Sequence, residues 1–254
     1  MNADAAGAPV RLLSLGDAAW TVEFGATIAP AIHGRVLGFR ALLEALSSAG
    51  RLAGVVEWLP TFRSVTVHFD PEATDALALR DQLGALAGQS GIAPATGRRW
   101  HIPVCFDADC APDLDDVAVA ARMTPQAVVQ LMTDCVFTVY MLGFLPGFPY
   151  LGGLPEVLAV PRLASPRKRV PARSIAIAAG LCGAYPCASP GGWRLLGRTP
   201  IRLFDATRAH RPALLAAGDQ VVWEPTVRAT YDRIERECAA GQFDPEPLQR
   251  AGNR

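Results

Sequence analysis

Gly143–Pro155 reads GFLPGFPYLGGLP, Pro161–Ser174 reads PRLASPRKRVPARS, and Ala184–Pro200 reads AYPCASPGGWRLLGRTP. Between Pro146 and Pro200, 17 of 55 residues are proline or glycine. That density nearly excludes long helices, because proline removes a helical N–H and glycine raises the entropic cost of ordering. Short β-rich runs such as Ser174–Ala178 and Ile201–Phe204 alternate with loops, the texture of a small β-barrel or sandwich. This region therefore sets the fold class as α+β, with a β-rich C-terminal domain.

The same region is electrostatically lopsided. The whole chain is neutral, with 24 basic and 24 acidic residues. Yet no acid lies between Glu156 and Asp205, an interval holding Arg162, Arg167, Lys168, Arg169, Arg173, Arg194, Arg198 and Arg202. Planar guanidinium groups suit carboxylates and phosphates. The charges read either as a site for a small anion or as a solvated basic face. Nucleic acid is disfavoured, because stacking aromatics are not interleaved with the charges. Within Ser189–Trp193 (SPGGW), consecutive glycines allow backbone N–H groups to approach an anion; a tight turn anchored by Trp193 is the competing reading. Phe144, Phe148 and Tyr150 could wall a pocket or pack a loop. We combine these into one expected anion pocket: Arg167, Arg198, Ser189 and the backbone of Gly191 and Gly192, walled by Tyr150 and Trp193.

Working outward, residues 8–90 read as a small α+β domain. Strands are expected at Val10–Leu15, Ala18–Phe24, Val55–Leu59 and Ser64–Phe69, with helices at Pro30–Ser48 and Ala73–Ala87. Gly88–Gly97 (GQSGIAPATG) reads as an exposed linker. Residues 98–228 form the second domain, opening with a strand at Trp100–Phe106, short helices near Leu114–Ala121 and after Thr124-Pro125, and a buried strand at Cys135–Leu142. Residues 229–254 read as a helix and a tail whose last dozen residues fray. Cys135–Pro155 is apolar but interrupted by Pro146, Pro149 and Pro155, so it does not span a membrane.

No nucleophile–base pair, Walker loop or zinc-type Cys/His spacing stands out, so no catalytic residue and no metal are assigned. His101 and His210 each lack a motif. The six cysteines are expected to be free thiols, with Cys182–Cys187 the one weakly supported pairing. Asp107, Asp109, Asp113, Asp115 and Asp116 read as a solvated acidic patch or a docking face. The N-terminal MNADAAGAPVRLL does not resemble a signal peptide, and a cytoplasmic location is expected.

The three quoted motifs, with GVVEWLPTFRSVTVHFDP at residues 54–71, closely resemble the bacterial 5-oxoprolinase B-subunit family, over Val10 to Pro225. That family overlaps the sporulation kinase-inhibitor proteins and subunit 1 of allophanate hydrolase, and shares the carboxyltransferase module of urea carboxylase. The resemblance implies an N-terminal α+β domain followed by a cyclophilin-like β-barrel. It implies a heteromeric enzyme that opens 5-oxo-L-proline to L-glutamate with ATP as co-substrate. The partners implied are C-like and A-like 5-oxoprolinase subunits, the single chain being inactive alone. Inhibition of a sensor histidine kinase, or a role on allophanate or urea-derived species, remain alternatives. Three positions depart from the family pattern: Arg173 where glycine is usual, Leu181-Cys182 where Gln-Thr is expected, and Met132 where histidine is frequent.

Overall fold

The computed structural model describes residues 9–93, 97–208 and 211–250. The chain divides into two compact units, residues 1–96 and 97–254. Each is described by itself.

In the first unit β1 (Arg11–Ser14), β2 (Ala19–Glu23), β3 (Val55–Pro60) and β4 (Ser64–Phe69) form an antiparallel sheet in the order β1-β2-β4-β3. Alternation in β4 puts Val65, Val67 and Phe69 on the buried face, as its sequence predicts. Helices α1 (Pro30–Ser48) and α2 (Ala76–Gln89) cover that face. Ile32, Val36, Phe39 and Leu43 form the buried stripe of α1, joined in the core by Leu79, Leu83 and Ala87 of α2. The second helix starts later than Ala73 because the Asp75 carboxylate caps it, accepting from the N–H groups of Leu77 and Ala78 at 2.8 Å each. The expected linker is tied down at its start: Ala93 N–H donates to the Gly34 carbonyl at 2.9 Å. A Cβ added to Gly38 would lie 2.1 Å from the Gly91 carbonyl oxygen. Residues 94–96 fall outside the described residues.

The second unit is built on β5 (Arg99–Val104), β6 (Phe137–Leu142), β7 (Pro149–Gly152), β8 (Arg167–Val170), β9 (Ser174–Ala178), β10 (Leu181–Ala184), β11 (Ser189–Gly191), β12 (Arg194–Arg198), β13 (Gln220–Pro225) and β14 (Gln249–Arg250). Eight of them run in the order β12-β9-β10-β7-β6-β13-β5-β14, while β8 and β11 pair as a separate ribbon. All these pairs are antiparallel except β5 with β13. The ladder is open rather than a closed barrel. Beyond the end of β5, a single bridge joins Cys105 to Arg198, with N–H···O distances of 2.8 and 3.0 Å.

The predicted strand at Ile201–Phe204 does not form. Pro200 has no N–H to give, and the Ile201 N–H donates to Thr199 Oγ1 at 3.2 Å, which turns the chain. Only Phe204 pairs, with Ala213. Helices α3 (Leu114–Ala121), α4 (Pro125–Asp134) and α5 (Arg228–Ala239) complete the unit. Thr124 caps α4 by accepting from Ala127 N–H at 3.2 Å, with Pro125 following at the first helical position. The tail does not fray over residues 243–250: β14 pairs with β5, Gln249 opposite Trp100. Residues 251–254 lie outside the description. Among the described residues no helix is long and apolar enough to cross a membrane.

Candidate functional site

The strands β9, β10 and β12 have two faces of different character. Ile175, Ile177, Cys182 and Leu196 point into the large core shared with Trp100, Phe137 and Trp223. On the other face lie Ala176, Ala178, Tyr185 and Leu195, packed with Phe148 and Trp193 and flanked by Tyr150. Alternation along each strand makes this division. The second face has a floor of small residues. A Cβ at Gly183 would come 2.8 Å from Phe148 Cζ, and one at Gly191 would come 2.3 Å from Tyr185 Oη.

Four rings meet on that floor. Phe148 lies 5.0 Å from Tyr150, 5.1 Å from Tyr185 and 5.8 Å from Trp193 between centroids, and Tyr150 lies 5.9 Å from Trp193. All are edge-on, the arrangement the ring quadrupoles favour. Phe144 joins at 5.6 Å and is 63% exposed, held at φ 68°. That left-handed conformation costs a bulky residue on the order of 1–2 kcal/mol. The Arg162 guanidinium stands 5.9 Å from the Trp193 ring, within cation–π range. Burial pushes the Tyr150 and Tyr185 phenols upward, with Arg162 opposing in both cases. Both therefore remain neutral hydrogen-bonding groups at neutral pH.

The expected pocket is only partly assembled. Tyr150, Trp193, Gly191 and Arg167 belong to this neighbourhood. Arg198 does not: it sits at the far end of β12, five residues from Trp193, about 16 Å along an extended strand. Its Nε is buried without a partner among the described residues. Ser189 is buried at 9% exposure, its hydroxyl donating to the Pro190 carbonyl at 3.2 Å. The SPGGW segment forms β11 and a turn, with the Gly192 carbonyl accepting from Leu163 N–H at 2.7 Å. The structural use of Gly191 is close packing against Tyr185.

The basic interval is not without counter-charge, because acids from distant parts of the chain reach it. Arg167 Nη2 donates to Asp113 Oδ1 at 2.6 Å, and Asp113 Oδ2 accepts from Leu195 N–H at 2.7 Å. Arg194 pairs with Asp116 at 3.3 Å and Arg173 pairs with Glu235. The acidic patch is thus not uniformly solvated: Asp113 is 4% exposed, and Arg228 bridges Asp107 and Asp109. Arg162 has no carboxylate partner among the described residues, and Arg167 Nη1 is buried with no partner among them. Sequence reasoning leaves Tyr185 and Arg162 out of the pocket and misses Asp113 as a buried anchor. The signal for Tyr185 is its place in the AYPCASPGGW motif.

The departures also find physical accounts. Arg173 adopts φ 67°, a conformation that favours glycine, and its guanidinium binds Glu235 and the Pro200 carbonyl. Of Leu181-Cys182, only Leu181 borders the aromatic face; Cys182 is buried in the opposite core, its thiol pushed up to about 12 by burial. Met132 is fully buried core. Cys187 is exposed while Cys182 is buried, and all six cysteines are free thiols. Among the described residues no group of three metal-binding side chains converges.

The motifs of the second unit belong to a carboxyltransferase-type module. The family model for the carboxyltransferase domain, subdomain C and D, matches residues 10–215, and the chain belongs to that family. It is 37% identical over 238 residues to the 5-oxoprolinase B subunit of Bacillus subtilis (strain 168), covering 89% of this chain and 97% of that one. It superposes on the crystal structure of TTHA0988 with a TM-score of 0.71 and 32% identity, covering 82% of this chain but only 40% of that longer chain. The Kluyveromyces lactis urea carboxylase shares the fold, with a TM-score of 0.73 at 22% identity; 92% of this chain covers 23% of that one.

Proposed function

We propose that this chain is the B subunit of an ATP-dependent 5-oxoprolinase and that its aromatic face holds the lactam. The likeness to the Bacillus protein, over 97% of that relative's length, supports the activity. The observation that carries the site is the four-ring cluster beside Arg162, which has no carboxylate partner among the described residues. A five-membered lactam is flat, largely apolar and carries one carboxylate. The exposed edge of the ring cluster, at Phe144 and the partly buried Tyr150, suits its body, and Arg162 suits the carboxylate.

A lactam is a poor electrophile. Transfer of the ATP γ-phosphoryl group to its oxygen makes the ring carbon attackable. Water adds there, the C–N bond breaks with nitrogen taking a proton, and a second water releases phosphate, giving glutamate, ADP and phosphate. Anionic intermediates along this route need cationic donors. No nucleophile–base motif stands out in the sequence, so we assign the chemical step to the assembled complex with its A-like and C-like partners. We also read the second unit as cyclophilin-like, its open ladder brought together between the end of β5 and β12 at the Cys105–Arg198 bridge. The cytoplasm supplies ATP and keeps thiols such as the exposed Cys187 reduced. The test is co-purification with both partners followed by assay of 5-oxoproline-dependent ATP hydrolysis. Activity of the complex and none of the single chain is expected; a complex that hydrolyses allophanate and ignores 5-oxoproline refutes the reading.

A further inference from the structure

Away from the aromatic face, two thiols of the second unit lie against each other. Cys105 follows the end of β5, where its backbone bridges Arg198, and Cys110 comes five residues later. The Asp107 carbonyl closes the turn between them, accepting from the N–H groups of Cys110 at 2.8 Å and Ala111 at 2.9 Å. That turn brings Cys110 back to Cys105. The two fully buried side chains make a small core of their own with Tyr231 of α5, and their thiols are in hydrogen-bonding contact.

The roof of this small core is made of surface ion pairs. Arg228 holds Asp107 at 3.4 Å and also Asp109, and its guanidinium stands 5.6 Å from the Tyr231 ring. Solvated pairs of this kind are weak, so the turn can open far enough to admit a molecule as small as hydrogen peroxide. Burial raises the Cys105 thiol above its ordinary value, which keeps thiolate scarce and the pair slow to react. The exposed Cys187 is the thiol that bulkier reagents meet first. Contact between two thiols, and not the reactivity of either alone, is what favours a bond here.

We propose that Cys105 and Cys110 are a redox-responsive dithiol, reduced at rest and closing to an intramolecular disulfide when the chain meets hydrogen peroxide. One sulfur attacks the peroxide O–O bond and becomes a sulfenic acid; the hydroxide expelled takes that thiol's proton and leaves as water. The second sulfur then attacks the first, the S–O bond breaks, and the departing hydroxide takes the second thiol's proton. Two electrons and two hydrogens leave the protein, and the peroxide becomes two waters. The new bond ties the end of β5 to the segment that leads into Asp113, the buried anchor of Arg167 and of the Leu195 N–H.

The test uses the full-length Cys187→Ser chain, which lacks the exposed thiol. It is treated with hydrogen peroxide under native conditions, alkylated in urea and digested with trypsin. Both cysteines fall in one peptide, Trp100–Arg122. That peptide should escape alkylation and lose the mass of two hydrogen atoms, and dithiothreitol should restore both thiols. Before digestion the oxidised chain should melt roughly 4–8 °C above the reduced one, a rise that Cys110→Ser abolishes. Two alkylated cysteines in that peptide, added oxygen in place of the lost hydrogens, a cross-link from either cysteine to another peptide, closure only in urea, or an unchanged or lower melting temperature overturns the proposal.

Discussion

The aromatic face and the cavity lined by Arg202, Asp205, Thr207 and Arg208 belong to the same unit and are both supplied with arginine, yet they hold their charge in different ways. At the face, Arg167 is spent on a buried carboxylate, Asp113, which also anchors the Leu195 N–H. Around that cavity Asp205 accepts from Thr207 and stays ionised in the field of Arg202 and Arg208, with no ion-pair contact among the described residues. Charge at the face therefore builds the fold, with Arg162 left over for a ligand, whereas the exposed charge around the cavity contributes little to folding. The distinction cannot be drawn from net charge, only from where each guanidinium ends.

The sharpest way to break this contrast is to remove one acid from each region. Asp113→Ala should destabilise the chain by about 3–5 kcal/mol, because it strands a partly buried guanidinium and orphans a buried N–H. Asp205→Ala, at an exposed turn, should cost under about 1 kcal/mol. Urea midpoints of the two variants decide it, and comparable losses would erase the distinction.

A smaller effect sharpens the packing side. Gly191→Ala drives a methyl group into Tyr185 Oη and should cost about 1–3 kcal/mol. Tyr185→Phe in the same chain removes the closest clashing atom and should recover part of the loss. If thermal midpoints show no recovery, the glycine serves the backbone and not the ring. The smallest expected difference concerns Arg173, held at φ 67°. Arg173→Ala keeps the strain and loses both side-chain contacts, while Arg173→Gly loses the contacts but relieves the strain. The glycine variant should be the more stable of the two by about 1 kcal/mol.

Periodicity makes most of the elements legible. The α1 stripe of Ile32, Val36 and Leu43 and the alternation of Val65, Val67 and Phe69 are local patterns, and they fall where expected. The Ile201–Phe204 segment misleads because its β-formers follow a proline and a side chain that accepts from the backbone. The site is half legible. Motif texture points to Tyr150, Arg167 and Trp193, but grouping Arg198 with them ignores the length of β12. Asp113 is unreadable as a partner for Arg167, since 54 residues separate them and only the fold joins them.

The central claim, that the aromatic face with Arg162 takes 5-oxoproline, is tested most directly by one kinetic comparison. In the assembled complex, 5-oxoproline-dependent ATP hydrolysis is measured for the wild type and for Arg162→Ala across substrate concentration. Loss of one charged hydrogen bond to the carboxylate should raise KM roughly 10–150-fold at saturating ATP. An unchanged KM for 5-oxoproline in an active complex would contradict the assignment.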